Sequence, residues 1–448
     1  MSAVPFPPDF VWGAATSAYQ IEGSPLADGA GPSIWHRFVH NPGRIVNGET
    51  GDLACDHYRR LDDDLDLLSE LGLGTYRFSI AWGRVLPTGR EARNPKGLDF
   101  YQKLVDGLLA RHIQPMVTLY HWDLPAALQD RGGWLNPDSP AWFADYAQIL
   151  FRALGDRVPL WVTLNEPWVV SVLGHLTADH APGHRDLFEV PRVAHHLLLA
   201  HSQAVAAHRA LKGASRIGIA VNLEPQHPAS PSPADQDAAE RRDAFINRWF
   251  LDPLFHGVYP PELQSIFGAA WPVIPEQELQ RIRIPGDFIG VNYYSRGLVR
   301  ADPAAKPLGA VRITPEGAPL TTMDWEVYPA GLTETLLWLR DRYGNPPLYI
   351  TENGAAFDDP PPSEGEVTDL NRVAYLCHHL QAARAAIARG VDLRGYFVWS
   401  LLDNFEWAQG YSKRFGLFQL DARTLARTPK ASARFYREVI RTNGASLG

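Results

Sequence analysis

Residues 160–167 read Leu-Trp-Val-Thr-Leu-Asn-Glu-Pro, a short run of strand-forming residues that stops at a proline. Because Pro167 has no N–H to give to a sheet, the strand is predicted to stop before it, which places Glu166 just past the strand end. A helical pattern follows at 190–211, and the next apolar run lies at 217–221. This order of strand, helix and strand predicts a parallel βαβ unit.

The same unit recurs along the whole chain. Strand candidates lie at 10–12, 75–80, 115–120, 160–164, 217–221, 287–292, 347–351 and 395–400. Helical patterns lie at 61–71, 101–112, 141–154, 190–211, 332–343, 371–389 and 430–441. Eight such strands favour a closed (β/α)8 TIM barrel of the α/β class over a doubly wound sheet.

The barrel is predicted to be a single catalytic domain over residues 1–448, because no change of composition marks a boundary. Its βα loops are predicted to be long at 224–237, 301–322 and 357–366, where Gly, Pro, Ser or Ala are frequent. Loops of this length that follow barrel strands open on the catalytic face, so we expect them to form part of its rim.

Composition limits the classes of partner. Of 448 residues, 45% are hydrophobic and 21% are charged, and the net charge is -8. Without a basic run, this charge predicts no nucleic-acid partner, and no apolar run is long enough to predict a membrane contact. Only Cys55 and Cys377 are present, and no basic residue precedes Arg37. We therefore expect a cytoplasmic protein without disulfides.

Two predicted strands end in a glutamate that is next to an asparagine. Asn165-Glu166 follows the fourth strand, and Glu352-Asn353 follows the seventh. One such glutamate would be read as part of a structural ion pair, but the two would share the catalytic face of one barrel. Two facing carboxyl groups suit glycosidic bond cleavage, in which one attacks the anomeric carbon and the other protonates the leaving oxygen. Spacing alone does not say which glutamate has which role.

Three longer motifs resemble glycoside hydrolase family 1. They are FVWGAATSAYQIEG at 10–23, TLNEP at 163–167 and YITENG at 349–354, and the resemblance extends over about residues 9–440. It implies that Glu352 is the nucleophile and Glu166 the general acid/base. It also implies retention of configuration, with the two carboxyl groups about 5–5.5 Å apart.

The resemblance further implies roles for neighbouring residues. Arg77 and Tyr294 would keep Glu352 ionised, and the resulting charge would keep Glu166 protonated. Trp168 and Leu173 would wall the entrance to the leaving-group site. The residues expected to contact the substrate are Gln20, His121, Trp122, Asn165, Asn292, Trp325, Trp399, Glu406 and Trp407.

The activity implied by the resemblance is hydrolysis of terminal nonreducing β-D-glucosyl residues. The substrates would be small β-glucosides or cello-oligosaccharides, with a role in cellulose degradation. Glu406-Trp407 argues against a 6-phosphorylated sugar, and Glu166 argues against a thioglucosidase, in which glutamine replaces the acid. A broader β-glucosidase, β-galactosidase and β-fucosidase activity and transglycosylation on the same site remain alternatives. A catalytically silent sugar-binding protein is the least favoured, since both glutamates are present. We also expect modest inhibition by glucose. Oligomeric state is not predicted.

No metal site and no cofactor are predicted. His175, His180 and His184 lack the spacing of a zinc-binding helix, and Pro182-Gly183 prevents a helix through them. His195, His196 and His201 lack that spacing too. The first stretch also departs from the family, because His175 and Ala178 stand where many members have tyrosine and glycine. The shape of the cleft rim is therefore not implied by the resemblance.

Overall fold

The computed structural model describes residues 5–448. Eight parallel strands close a barrel in which each strand lies beside the next in sequence and β8 lies beside β1. The predicted (β/α)8 barrel is thus confirmed. The strands are β1 Val11–Ala15, β2 Thr75–Ser79, β3 Gln114–Tyr120, β4 Leu160–Asn165, β5 Arg216–Asn222, β6 Phe288–Asn292, β7 Leu348–Asn353 and β8 Leu393–Trp399.

The barrel strands are buried on both faces, which explains why their sequences are nearly continuous apolar runs. A compact apolar cluster drawn from most of the strands includes Met116, Val162, Phe288, Tyr349 and Phe397. Because these side chains fill the barrel, they form a packed floor beneath the carboxyl ends of the strands.

A helix of between 8 and 21 residues follows each strand. The eight are α1 Leu61–Glu70, α2 Pro95–Ala110, α3 Ser139–Leu154, α4 Val190–Ala210, α5 Trp249–His256, α6 Pro329–Tyr343, α7 Leu370–Ala388 and α8 Ala431–Arg441. Further helices are Ala18–Ile21, Ile34–Val39, Trp82–Val85, Ala126–Gln129, Pro167–His175, Pro233–Asp243, Ala244–Arg248, Pro261–Phe267 and Glu276–Ile282. Among the described residues, no helix is both long and apolar enough to span a bilayer.

Local sequence explains the ends of α2. It begins six residues before the predicted start at 101, because Pro95 occupies its first turn, where a missing N–H costs nothing. It ends at Ala110, and His112 has a φ of 60°, which a helix cannot continue through.

The connection between β5 and β6 is where the sequence analysis was wrong. Residues 224–237 were predicted to be a loop, but they contain the strand Gln226–Pro228 and the start of the helix Pro233–Asp243. Ser232 caps this helix, since its side chain accepts a hydrogen bond from the Asp235 N–H at 3.2 Å. A stretch rich in Ser, Pro and Ala suggested a turn because the helix-starting serine and proline are also turn residues.

The other two predicted loops differ from each other. Within 301–322, the strand Ala310–Ile313 pairs antiparallel with Gly297–Ala301, which in turn pairs with Gln226–Pro228. Within 357–366, the structure has one isolated bridge, between Ser363 and Glu366. A separate pair of short strands, Phe418–Leu420 and Arg427–Pro429, lies between β8 and α8.

Candidate active site

The carboxyl ends of four barrel strands bring the predicted catalytic residues together. Glu166 directly follows β4, Glu352 lies near the end of β7, Asn292 ends β6, and Arg77 lies within β2. All four side chains are buried. Asn292 Nδ2 donates to Glu166 Oε1 at 2.7 Å, so the ends of β4 and β6 are tied together at the site.

Glu352 has two strong partners. Arg77 Nη1 donates to its Oε1 at 2.7 Å, and Tyr294 Oη donates to its Oε2 at 2.6 Å. Burial raises the pKa of the Glu352 carboxyl above its usual value, but the Arg77 charge and the Tyr294 hydrogen bond limit that rise. Both oxygens of this carboxyl group are therefore stabilised in the charged form.

Arg77 is itself held rigidly. Its Nη2 donates to Asn165 Oδ1 at 2.6 Å, its Nε donates to Thr118 Oγ1 at 3.2 Å, and its Nη1 also donates to the Thr351 carbonyl at 3.0 Å. These acceptors are neutral, so Glu352 is the carboxylate to which the guanidinium is hydrogen-bonded. A buried ion pair with its remaining donors satisfied has a fixed geometry.

Glu166 lies in a different environment. Its φ of 47° is unusual for a glutamate, and its backbone N–H donates to the Ala220 carbonyl at 2.9 Å, just before the helix Pro167–His175 begins. Burial, together with the charge of Glu352, raises the pKa of Glu166 to about 8. At neutral pH this carboxyl group is protonated, whereas Glu352 has the cationic partner.

Gln20 and Glu406 meet at one side of the site. Gln20 Nε2 lies within 3.3 Å of Glu406 Oε2, and its Oε1 accepts from Ser17 Oγ at 2.7 Å. Its Nε2 also donates to Asn404 Oδ1 at 3.1 Å. Burial, together with the charge of Glu352, raises the pKa of Glu406 to about 8. The amide of Gln20 is thus fixed beside a carboxyl group that can bind hydroxyls.

Aromatic rings surround His121. Its ring is nearly parallel to those of Trp399 and Trp407, with centroids 5.8 and 6.0 Å away. Burial and the Arg77 charge hold the pKa of His121 well below its usual range, so the ring is neutral. Its Nε2 accepts from Asn165 Nδ2 at 3.1 Å, and its buried Nδ1 has no protein partner.

Trp122 contacts this group through its ring. Its Nε1 donates to the Asn165 carbonyl at 2.9 Å, and its ring lies 4.6 Å from that of Trp407. The indole N–H is therefore already hydrogen-bonded within the protein. Any contact of Trp122 with the substrate, as predicted, would be made by the face of its ring.

A cavity of about 310 Å3 opens above these residues. Trp168, Leu173 and Trp325 lie on its wall with Glu166 and Tyr294, so the structure brings the two predicted entrance residues, Trp168 and Leu173, to the glutamate predicted to be the acid/base. A cavity of this size accommodates a small organic ligand. The arrangement can hold a polar ring near its base and an apolar substituent near its mouth.

Several cavity residues were not predicted as site residues. His180 was considered only as a metal ligand, but its ring lies 5.2 Å from that of Trp122. Asn222 ends β5, so the rule that catalytic faces lie at strand ends could have found it. Arg242 donates to Glu224 Oε1 at 3.0 Å from a connecting helix, and no motif indicates that contact.

Comparison with known proteins agrees with this geometry. The family model described as glycosyl hydrolase family 1 matches residues 2–445. Beta-glucosidase A of Thermotoga maritima is 48% identical over 445 residues, covering 99% of each chain. A solved T. maritima family 1 glycoside hydrolase, complexed with a cyclophellitol analogue that mimics a transition state, has a TM-score of 0.97 at 48% identity and 99% coverage of each chain. The T. maritima β-glucosidase in complex with galacto-hydroximolactam has a TM-score of 0.95 at 48% identity, covering 98% of this chain and 99% of that one.

Proposed function

This chain belongs to glycosyl hydrolase family 1 and hydrolyses β-glucosides with retention, and we propose that Glu352 is its nucleophile and Glu166 its general acid/base. One observation carries the assignment of roles. Glu352 accepts hydrogen bonds from the guanidinium of Arg77 and the phenol of Tyr294, whereas Glu166 accepts one from the amide of Asn292. The charged member of the pair is therefore Glu352, and the neutral member can donate a proton.

In the first step, the Glu352 carboxylate attacks the anomeric carbon from the face opposite the leaving group. Glu166 gives its proton to the glycosidic oxygen as the bond from that oxygen to the anomeric carbon breaks. The leaving alcohol departs, and the sugar is held as an ester of Glu352. The proposed separation of the two carboxyl groups is about 5–5.5 Å, which leaves room for one sugar ring.

In the second step, Glu166 takes a proton from water. The oxygen of that water attacks the anomeric carbon, the bond to Glu352 breaks, and β-glucose leaves with its original configuration. Because the ester carries no charge, the repulsion that raised the pKa of Glu166 is removed in the intermediate, so its carboxylate form is available as the base.

Asn165 is suited to stabilise the transition state. Its Oδ1 accepts from Arg77 at 2.6 Å and from Asn292 at 3.1 Å, which fixes the orientation of the amide. One hydrogen of its Nδ2 goes to His121 Nε2 at 3.1 Å, and the second hydrogen is left to donate. We assign this donor to the sugar 2-hydroxyl, where a hydrogen bond strengthens as positive charge develops on the ring.

The sugar is held by the other side chains of the site. Gln20, His121 and Glu406 are proposed to hydrogen-bond its hydroxyls, and Trp399 and Trp407 to pack on its faces. A carboxyl group at Glu406 can hydrogen-bond neutral hydroxyls and supplies no positive charge for a phosphate, so the proposed glycone is an unphosphorylated sugar. Trp168, Leu173 and Trp325 are proposed to contact the leaving group at the mouth of the cavity.

A second glycone is supported by a specific observation. The structure of the T. maritima β-glucosidase, which is 48% identical to this chain, has been solved in complex with galacto-hydroximolactam. We therefore include β-galactosides among the proposed substrates, at lower efficiency than β-glucosides. Cello-oligosaccharides are the proposed natural glucosides, which would give the enzyme a role in cellulose degradation.

Location and domain organisation belong to the same proposal. Cys55 and Cys377 are free thiols, which fits a reducing compartment such as the cytoplasm. The eight strands of one closed barrel are drawn from 11 to 399, which fits a single domain over 1–448. Cell fractionation would test the cytoplasmic location. Thermal unfolding would test the single domain, for which we expect one cooperative transition.

The experiment that tests the function follows product anomers by NMR with aryl β-glycosides and cello-oligosaccharides. We expect β-glucose as the first product, and a loss of about 10^4-fold or more in kcat for Glu352→Gln. Glu326→Gln is the matched control, because Glu326 is also buried and ion-paired, to Arg296 at 2.8 Å, but does not touch the reacting groups. Release of α-glucose first would overturn the proposal.

A further inference from the structure

The segment after the helix Pro167–His175 folds back against the end of that helix. The His184 N–H donates to the Gly174 carbonyl at 2.9 Å, and the Asp186 N–H donates to the His175 carbonyl at 2.8 Å. These two backbone hydrogen bonds hold His184 beside His175, although the two lie nine positions apart in sequence. The side chains of the two histidines are consequently placed by the fold and not by helical spacing.

Three ligand atoms converge at this point. His175 Nδ1 and His184 Nδ1 each lie 2.7 Å from the same oxygen, Oε2 of Glu189. The two imidazole rings are nearly perpendicular, with centroids 5.1 Å apart. The His175 side chain is buried, while those of His184 and Glu189 are 37% and 21% exposed, so the cluster opens to solvent on one side.

Two imidazole nitrogens and one carboxylate oxygen form a donor set that suits Zn2+ and related transition metals, whereas Ca2+ and Mg2+ prefer oxygen donors alone. We propose that His175, His184 and Glu189 bind one divalent metal ion of the Zn2+ class, with water completing its coordination. Around a tetrahedral ion the three donors would lie about 3.4 Å apart, given metal–ligand distances near 2.1 Å. The half-exposed His184 side chain is free to make that small outward movement.

Both rings already direct the required nitrogen at the carboxylate. His175 Nδ1 and His184 Nδ1 each face Glu189 Oε2. To bind the ion, each ring moves its proton from Nδ1 to Nε2, and no net proton is released.

This site would affect the cleft through one helix. His175 ends the helix that begins directly after Glu166 and that carries Leu173 on the cavity wall. His180, between the two histidine ligands, packs on Trp122 in the same cavity. A bound ion would therefore hold the rim of the leaving-group site without touching the reacting groups.

The sequence predicts no metal site, because the spacing of these histidines does not fit a zinc-binding helix. Pro182-Gly183 does prevent a helix, but Gly183, with a φ of 85°, turns the chain so that His184 returns to His175.

A second cluster, His36, His40 and Asp52, provides an internal comparison. There His36 Nδ1 lies 3.4 Å from Asp52 Oδ1, and His40 Nε2 lies 3.1 Å from Oδ2, so the nitrogens approach different oxygens. The side chains of His40 and Asp52 are 45% and 43% exposed. We do not assign an ion to it, and its histidines serve as the control.

The test is calorimetric titration of Zn2+ into the metal-free full-length protein. We expect one site of high affinity, weakened by about 100-fold or more in His184→Ala, which exceeds the usual cost of losing a supporting partner. His40→Ala should leave the affinity unchanged. At about 100 times the dissociation constant, Zn2+ should raise the Tm of the wild type by about 2–5 °C and that of His184→Ala by much less.

His184 is chosen for substitution because its side chain is half-exposed and the variant should fold. Metal-free His184→Ala should hydrolyse an aryl β-glucoside at close to the wild-type rate, which separates the ion site from the catalytic proposal. Absence of a stoichiometric site in the wild type would overturn the inference and show that the three side chains form a hydrogen-bonded clasp. Unchanged Zn2+ affinity in His184→Ala, or its loss in His40→Ala, would overturn it equally.

Discussion

Arg77 and Glu352 form a buried ion pair in which Nη1 lies 2.7 Å from Oε1. The other donors of the guanidinium go to neutral oxygens, among them Asn165 Oδ1 at 2.6 Å. The carboxyl groups of Glu166, Glu352 and Glu406 share this pocket, but only Glu352 is hydrogen-bonded to the Arg77 guanidinium. In a medium of low polarity, that contact decides which carboxyl group carries the negative charge, and Glu166 and Glu406 are left with raised pKa values.

The first prediction concerns the basic limb of the pH–rate profile. Glu166 must be protonated to act as an acid, and its pKa is raised to about 8, so kcat/KM should be full below that pH and fall as pH rises through it. Glu166→Gln should remove this limb. The measurement is kcat/KM against pH with an aryl β-glucoside of intermediate leaving-group acidity, so that the wild type still needs the proton and the variant keeps a measurable rate.

Glu406 is the rival source of that limb, because its pKa is also raised to about 8. Glu406→Gln should therefore be profiled in parallel. A basic limb that survives in Glu166→Gln and disappears in Glu406→Gln would show that the acid/base role has been assigned to the wrong glutamate.

The second prediction concerns the acidic limb. Tyr294 Oη donates to Glu352 at 2.6 Å, and this bond favours the charged carboxylate. Tyr294→Phe should raise the pKa of Glu352, so the acidic limb should move to higher pH. The variant should also lose about 10–100-fold in kcat/KM at the optimum, the usual cost of a hydrogen bond to a charged group.

Tyr293→Phe is the control for this experiment. Its phenol donates to the Tyr328 carbonyl at 2.6 Å and is also buried, so its loss should lower stability without moving the limb. If the two variants shift the limb equally, the shift comes from general damage to the barrel and not from the nucleophile.

The third prediction concerns recognition of the sugar. Glu406→Gln should lower kcat/KM for a β-glucoside by about 10–100-fold, because an amide cannot reproduce the hydrogen bonds that the carboxyl group makes to the sugar hydroxyls. A series of monodeoxy glucosides would identify that hydroxyl, since the glucoside that lacks it should lose least from the substitution. An equal loss for every deoxy glucoside would mean that Glu406 does not contact the sugar.

The fourth prediction concerns product inhibition. Leu173 lies on the wall of the cavity beside Trp168, and a bulky entrance hinders glucose from returning. The inhibition constant for glucose should not be below the KM of an aryl glucoside, and Leu173→Ala should lower it by about 3–10-fold. Leu176→Ala, three residues further along but not on the cavity wall, should leave it unchanged. A constant that does not move in Leu173→Ala would remove Leu173 from the entrance.

Much of this site could be predicted from sequence, because barrel geometry converts strand ends into one face. The apolar runs before Glu166 and Glu352 identified both strands, and the strand ending at Asn292 could be placed in the same way. The chemical roles of the two glutamates follow from the family resemblance. The spacing between Glu166 and Glu352 does not indicate which of them is the acid and which is the nucleophile.

Other features depend on contacts that no local pattern encodes. The indole N–H of Trp122 is taken up by the Asn165 carbonyl, which is 43 residues away in sequence. Arg242 reaches the cavity from a helix whose start resembled a turn. His175 and His184 meet only because a loop folds back. In each case the deciding interaction is tertiary and joins residues outside any one motif.

The roles of the two glutamates are tested most directly by anion rescue. Glu352→Gly leaves a gap on the face from which the nucleophile attacks, so azide should enter there and form the α-glucosyl azide from an activated β-glucoside. Glu166→Gly leaves the gap on the opposite face, so azide should attack the Glu352 ester and form the β-glucosyl azide. NMR of the two products should show these configurations, and the reverse pair would contradict the assignment of Glu352 as nucleophile.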